Sequence, residues 1–178
     1  MNAAVNRLNT KVGVLNKQVN TSENVMNYLG NGFGTVTSRT VKISQLGVEF
    51  TIPAVINDLT YSYSKTTTGF GNNQTLNIVT FSTKTLQKVD SNCTASSGDV
   101  LGSMATSQGI YAPSNASEAM ALGTLVKQFP TFYVTYDRSY QATCASPTTL
   151  NGVIAGDLID IQQPILQNAI KSTVKPIN

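Results

Sequence analysis

Residues 41–63 read VKISQLGVEFTIPAVINDLTYSY, and the spacing of apolar side chains in this run sets the fold class. Val41 and Ile43, then Val48, Phe50 and Ile52, then Leu59, Tyr61 and Tyr63 recur at every second position. That is the period of a half-buried strand, not of a helix. Leu76 and Ile78, followed by Val79 and Phe81, continue the pattern, so three or four strands are predicted between Thr35 and Ser82. Pro53 ends one of them, and Gly69, Gly71, Asn72 and Asn73 make a turn. An antiparallel sheet follows, with one face on the core and the other in water.

Downstream the pattern becomes mixed. Thr83 to Val89 suits a short helix running into the loop that carries Cys93, and Ser91 to Gly109 is the least regular stretch. After Pro113, Ser114 or Ser117 can cap a helix, Glu118 suits its first turn, and Leu122, Leu125, Val126 and Phe129 follow helical spacing. Pro130 stops that helix, and Thr131 to Arg138 reads as a further strand with Phe132, Val134 and Tyr136 on one face. The last segment has Thr148 or Thr149 as cap and an apolar stripe of Leu150, Val153, Ile154, Leu158, Ile161, Ile165, Leu166 and Ile170. Pro164 is expected to kink or split it. The predicted class is α+β: an antiparallel sheet of about four to five strands, one mid-chain helix and a carboxy-terminal helix kinked at Pro164.

Upstream, the first thirty residues carry a heptad. Val5, Leu8, Val12, Leu15, Val19, Ser22, Met26 and Leu29 occupy its a and d positions, predicting a coiled-coil-like helix of about 25 residues, roughly 38 Å long. Gly13 and the polar Ser22 weaken the seam, and Asn2, Asn9, Asn16 and Glu23 at the e positions offer few ion pairs. Two roles stay open for it: a homo-oligomer through Val5, Leu8, Val12, Leu15, Val19, Met26 and Leu29, or packing on the chain's own last helix. Gly30, Asn31, Gly32 and Gly34 end it in a loop. Residues 1–34 thus read as a helical stalk with its loop, and 35–178 as a single domain.

The 178 residues suit one core and no more. Apolar residues are 40% and charged ones 12%, the reverse of a disordered composition. Histidine is absent, which removes the commonest general base and metal ligand together. The net charge of +3 is scattered without a run of one sign, so no nucleic-acid footprint is visible. Cys93 and Cys144 are the only cysteines and form no Cys-x-x-Cys unit, so a disulfide is the natural reading. It places the chain on the oxidising side of a membrane. No window is long and apolar enough to span a bilayer, and the amino terminus lacks the marks of a secretory signal. A signal or anchor is therefore expected upstream of Met1.

The runs Leu46-Gly-Val-Glu-Phe-Thr-Ile-Pro53 and Phe81-Ser-Thr-Lys-Thr-Leu86 leading to Cys93, then Leu101-Gly102 and Phe132-Tyr-Val-Thr-Tyr136 running to Cys144, are similar to a family of uncharacterised Saccharibacteria-type surface proteins. The resemblance covers Val41 to Ala145. It implies a membrane-spanning helix and a helical spacer ahead of a two-cysteine extracytoplasmic domain. Leu46 stands where the family often has Trp, so no role of that ring transfers. The resemblance implies no catalytic or binding residues.

Catalytic patterns are sparse. Ser-x-x-Lys occurs at Ser62/Lys65 and Ser172/Lys175, at about chance frequency and without the companion motifs of that enzyme class. Asp157 and Asp160 read as a solvated helix face, not an acid–base pair or metal site. No glycine loop supports phosphate binding. No metal, no other cofactor and no enzymatic activity are expected. Tyrosines are the best lead, because the ring is rigid and apolar with a hydrogen-bonding tip. Tyr61, Tyr63, Tyr133 and Tyr136 lie on strands, where core or sheet-face packing is the simpler reading. Tyr111 and Tyr140 fall in loops and form the candidate contact surface. The leading expectation is a membrane-tethered adhesion or contact domain whose partner is a protein or a cell-envelope glycan. A type IV pilin-like filament subunit is the alternative, and a cell-envelope hydrolase the least favoured.

Overall fold

The structure, a computed structural model, describes residues 38–68, 74–97, 100–138, 144–146 and 148–177. The heptad of residues 1–34 and Tyr140 lie outside the described residues. The elements in order are β1 (Arg39–Ile43), β2 (Val48–Ile52), a 3-10 turn (Ala54–Ile56), β3 (Leu59–Thr67), β4 (Thr75–Thr83) and α1 (Lys84–Val89). There follow β5 (Ser103–Gln108), α2 (Ala116–Leu122), β6 (Thr124–Gln128), β7 (Phe132–Asp137), α3 (Leu150–Thr173) and β8 (Lys175–Pro176).

The strands form two antiparallel sheets, one of three strands ordered β1-β2-β8 and one of five ordered β3-β4-β5-β7-β6. The small sheet follows the alternation read above: Val41, Ile43, Val48, Phe50 and Ile52 are buried, while Lys42 and Glu49 face outward. Its inner face meets the large sheet through Phe50 and Phe81, whose rings pack edge to face with centroids 6.1 Å apart. Helix α3 packs against β2 and α1 and closes the core with Ile154, Ala155, Leu158, Leu166 and Ile170. One contiguous cluster of buried side chains runs from Val41 to Val174.

The helix α3 is continuous through Pro164 for 24 residues, so the proline does not split it. Thr149 caps it, accepting a hydrogen bond from the Gly152 N–H at 3.0 Å. Its buried face departs from the expected stripe. Leu150 and Val153 are exposed, and Gln162 and Gln163 are buried instead. Each glutamine is held by a specific donor, Thr83 Oγ1 to Gln162 Oε1 at 3.0 Å and Arg138 Nε to Gln163 Oε1 at 2.6 Å. A buried amide with a partner is tolerated, which is why hydropathy alone misplaces the face.

Three other expectations are corrected. The irregular stretch 91–109 contains β5, the central strand of the large sheet. The helix expected from Ser114 to Phe129 ends at Leu122. Gly123, at φ 79 and ψ 177, turns the chain into β6, which pairs with β7. Only glycine adopts that conformation readily, so the helical spacing of Leu125, Val126 and Phe129 is overridden by one backbone position and a free strand edge. The sheet also lacks a plain wet face. Beside its core face of Val79, Phe81, Met104, Val134 and Tyr136, its second face buries Leu76, Ser82, Ala105, Ser107, Tyr133 and Thr135. Backbone of the Cys93 loop covers part of it: Ser82 donates to the Cys93 carbonyl, and Ser62 and Thr80 donate to that of Ala95.

The disulfide between Cys93 and Cys144 is formed, and both residues are buried. It ties the loop after α1 to the segment after β7, across a separation of 51 residues. In the chain-entropy account such a closure contributes about 4 kcal/mol.

Candidate functional site: the β3 edge and its tyrosines

Strand β3 forms one margin of the large sheet, and no described residue pairs with its outer side. Its register on β4 runs from Leu59↔Thr83 to Thr67↔Thr75, and beyond it Thr68 N–H bonds to the Gln74 carbonyl at 2.9 Å. Hydrogen-bonded pairs alternate along an antiparallel ladder. The even positions of β3 therefore turn their backbone groups toward β4, and Tyr61, Tyr63, Lys65 and Thr67 turn theirs away. At Leu59 the outward carbonyl is already taken by Arg39 Nη2 at 3.3 Å.

The other margins are blunted. β8 has two residues, β6 carries a bulge between Leu125 and Lys127, and β1 has five residues bearing Arg39 and Lys42. These are the usual guards of a sheet edge. β3 is nine residues long, regular in register, free of proline, and built of Thr, Tyr and Ser with one charge at Lys65. Ser64 to Thr67 are exposed, as are the rings of Tyr61 (38%) and Tyr63 (42%), which share one face. Tyr63 Oη donates to Asn77 Oδ1 at 2.9 Å and so holds its ring over the sheet.

The strand tyrosines divide into core and open sheet-face positions. Tyr133 and Tyr136 are fully buried, Tyr136 donating to the Leu101 carbonyl and Tyr133 to Gln74 Oε1. Burial pushes the Tyr133 phenol above its ordinary value of 10.0, against a lowering hydrogen bond with Ser107. Tyr111 is half-buried. Its ring packs edge to face on Tyr133 at 5.3 Å and its hydroxyl donates to the Gly123 carbonyl at 2.8 Å. It works as a clamp that holds the segment leading to α2 on the sheet, and its polar tip is already engaged. Tyr61 and Tyr63 present open rings because β3 is an edge, a fact of strand order that alternation does not encode.

Beside Tyr111, Asn115 caps α2 by accepting from Glu118 N–H at 2.9 Å, in place of Ser114 or Ser117. The Ser114 hydroxyl (2.5 Å) and N–H (2.7 Å) both donate to Glu118 Oε2. The hydroxyl first and the amide second hold the Glu118 carboxyl below its ordinary value. This is a reciprocal helix-start arrangement in which one carboxylate oxygen takes both bonds.

The catalytic patterns are not assembled. Ser62 and Lys65 point to opposite faces of β3, and Ser62 Oγ is bonded to Thr80 Oγ1 at 2.6 Å and to the Ala95 carbonyl. Ser172 Oγ donates to the Asn168 carbonyl at 2.6 Å, and Lys175 lies 3.1 Å from Glu49. Asp157 is half-buried and Asp160 exposed on α3. Among the described residues no three His, Cys, Asp or Glu side chains are placed to hold a metal ion, and no helix is long and apolar enough to cross a membrane.

Comparison with protein-family models, with curated proteins and with solved structures finds no match to this chain.

Proposed function

We propose that the chain is a non-enzymatic, disulfide-locked domain that works outside the cytoplasm by surface contact, and that the contact is made along β3. The observation that carries the reading is the long edge, unpaired among the described residues, with two open tyrosine rings on one face. An edge strand offers a row of backbone donors and acceptors, and adjacent aromatic rings add affinity and choice of partner. The disulfide supports the location, because such a bond persists in oxidising compartments. The membrane tether implied by the resemblance to Saccharibacteria-type surface proteins belongs to the same reading, as does a partner on a neighbouring cell envelope.

Two measurements test it. In intact producing cells, a membrane-impermeant amine-reactive reagent labels the exposed lysines Lys42, Lys65 and Lys84 if the domain faces outward. Labelling only after lysis refutes the location. The oxidised chain, fluorescently tagged, is titrated onto intact cells and onto purified cell-wall sacculi. Replacing Tyr61 and Tyr63 together by serine reduces binding at least tenfold, and unchanged binding refutes the contact face.

A further inference from the structure

The geometry points to a second copy of this chain as the occupant of the β3 edge, paired antiparallel about a two-fold axis at Ser64. The inference rests on β3 being a contact surface, and it names the partner and the register.

Five two-fold axes, at positions 61 to 65, each set three or more outward-facing residues of one strand against those of the other. An axis at Lys65 sets the two ammonium groups directly opposite each other, and like charges facing across a strand pair are destabilising. Axes at Tyr61, Ser62 and Tyr63 all require the outward groups of Leu59, whose carbonyl is engaged by Arg39. An axis at Ser64 matches Tyr61 with Thr67 of the second copy and Tyr63 with its Lys65. These pairings, and their symmetry mates, use Tyr61, Tyr63, Lys65 and Thr67 and leave the Leu59 carbonyl to Arg39. Each such pair exchanges two backbone hydrogen bonds.

The side chains agree with this register. On one face the only charge of β3, Lys65, comes opposite the Tyr63 ring, an attractive cation–aromatic neighbour. On the other face Ser64 meets Ser64, and Ser62 meets Thr66, small hydroxyls that fit closely across non-hydrogen-bonded positions. The pairing joins two five-stranded sheets into one of ten strands and removes the longest open edge of each. A seam of one strand on one strand buries less than the roughly 1,000 Å² of a stable complex. The dimer is therefore of the transient class, populated where copies are crowded, as on a surface.

The test uses the full chain with its native disulfide intact. Residues at a non-hydrogen-bonded position lie about 4.5 Å apart between Cα atoms, within reach of a disulfide. Ser64→Cys accordingly gives a covalent dimer on mild oxidation, with the two introduced thiols joined to each other in the proteolytic map. Ser62→Cys, which faces Thr66 and not itself, crosslinks at least tenfold more slowly. Sedimentation up to about 1 mM shows reversible dimers, a range in which even millimolar affinities register. Lys65→Pro removes an outward N–H without breaking the β4 ladder, and weakens the dimer at least tenfold. Equal crosslinking at both cysteines, or a chain monomeric throughout, overturns the inference. So does an extended segment of another protein that binds β3 while the chain stays monomeric. In either monomeric case, the loss of cell binding on replacing Tyr61 and Tyr63 still upholds the contact reading, so the two failures are separable.

Discussion

Replacing Gly152 by alanine sets local propensity against tertiary packing. Position 152 is the third residue of α3, and by helix propensity alone alanine there is favoured over glycine by about 1 kcal/mol. In the folded chain, however, a Cβ at this position falls 2.0 Å from the Ser146 carbonyl oxygen, 2.6 Å from its nitrogen and 2.7 Å from its carbonyl carbon. Comfortable non-bonded separations are about 3.5 Å, so one backbone must move by more than an ångström. The Ser146 turn is not free to do so. Its N–H bonds to the Cys144 carbonyl at 3.0 Å, and Cys144 is bridged to Cys93 in the core. Moving the helix instead breaks the Thr149 cap, worth about 1 kcal/mol, in addition to an overpacking penalty of about 1–3 kcal/mol. The expected net effect is a destabilisation of about 2–4 kcal/mol, opposite in sign to propensity. Urea unfolding followed by far-UV circular dichroism reads it as a midpoint lower by about 1–2 M at a slope near 2 kcal/mol/M. Gly156 on the same helix is the control: a Cβ there meets only the Ala145 Cβ at 3.8 Å, so Gly156→Ala is expected to stabilise by up to about 1 kcal/mol. A neutral or stabilising Gly152→Ala, or an equal loss at both positions, refutes the packing of α3 on the cysteine turn.

Removing the disulfide by Cys93→Ser with Cys144→Ser costs about 4 kcal/mol, a fall in melting temperature of roughly 8–16 °C by scanning calorimetry; a shift under about 3 °C is the contrary result. Glu49 sits between Lys175 at 3.1 Å and Lys42 at 3.3 Å, and hydrogen bonding to Lys175 foremost, then to Lys42, holds its carboxyl below the ordinary 4.5. Its folded value is depressed, so its contribution is present above the ordinary value and is lost as pH falls through the folded one. Urea midpoints of the wild type and Glu49→Gln should therefore differ at about pH 6 and converge toward about pH 3, and a gap that widens in acid contradicts this. Gly123→Ala forces a Cβ into a conformation nearly exclusive to glycine and costs about 1–3 kcal/mol, measured by the same unfolding assay, with no loss expected if α2 in fact runs on into β6.

Periodicity exposed those elements in which apolar side chains recur at a fixed spacing, whatever else the element buries. β1, β2 and β7 and the existence of α3 are legible because each sets apolar residues at a fixed period. The disulfide was legible because two cysteines permit one pairing. β5 was not, since Ser103–Gln108 is a central strand whose faces are filled by small polar residues as well as Met104 and Ala105. Ser107 is acceptable inside because its hydroxyl reaches the Thr75 carbonyl at 2.9 Å, 32 residues away, and no local window contains that partner. The boundary at Gly123 was hidden for a related reason. Helical spacing persists through Phe129, but the unpaired edge of β7 competes for the same residues and wins.

The site shows the same division. Local chemistry sets the alternation of Thr, Tyr and Ser in β3 and places Tyr61 and Tyr63 on one face, since side-chain direction follows from backbone geometry within a few residues. Whether that face is core or surface depends on what lies beyond the strand, and strand order is a long-range property. Tyr133 and Tyr136 carry the same ring as Tyr61 and Tyr63, yet among the described residues β7 has neighbours on both sides and β3 on one. The covalent link and the strands and helix with regular apolar spacing were therefore readable from the sequence, whereas β5, the Gly123 boundary and the open edge arise only when distant segments choose their partners and leave one strand, among the described residues, without a second.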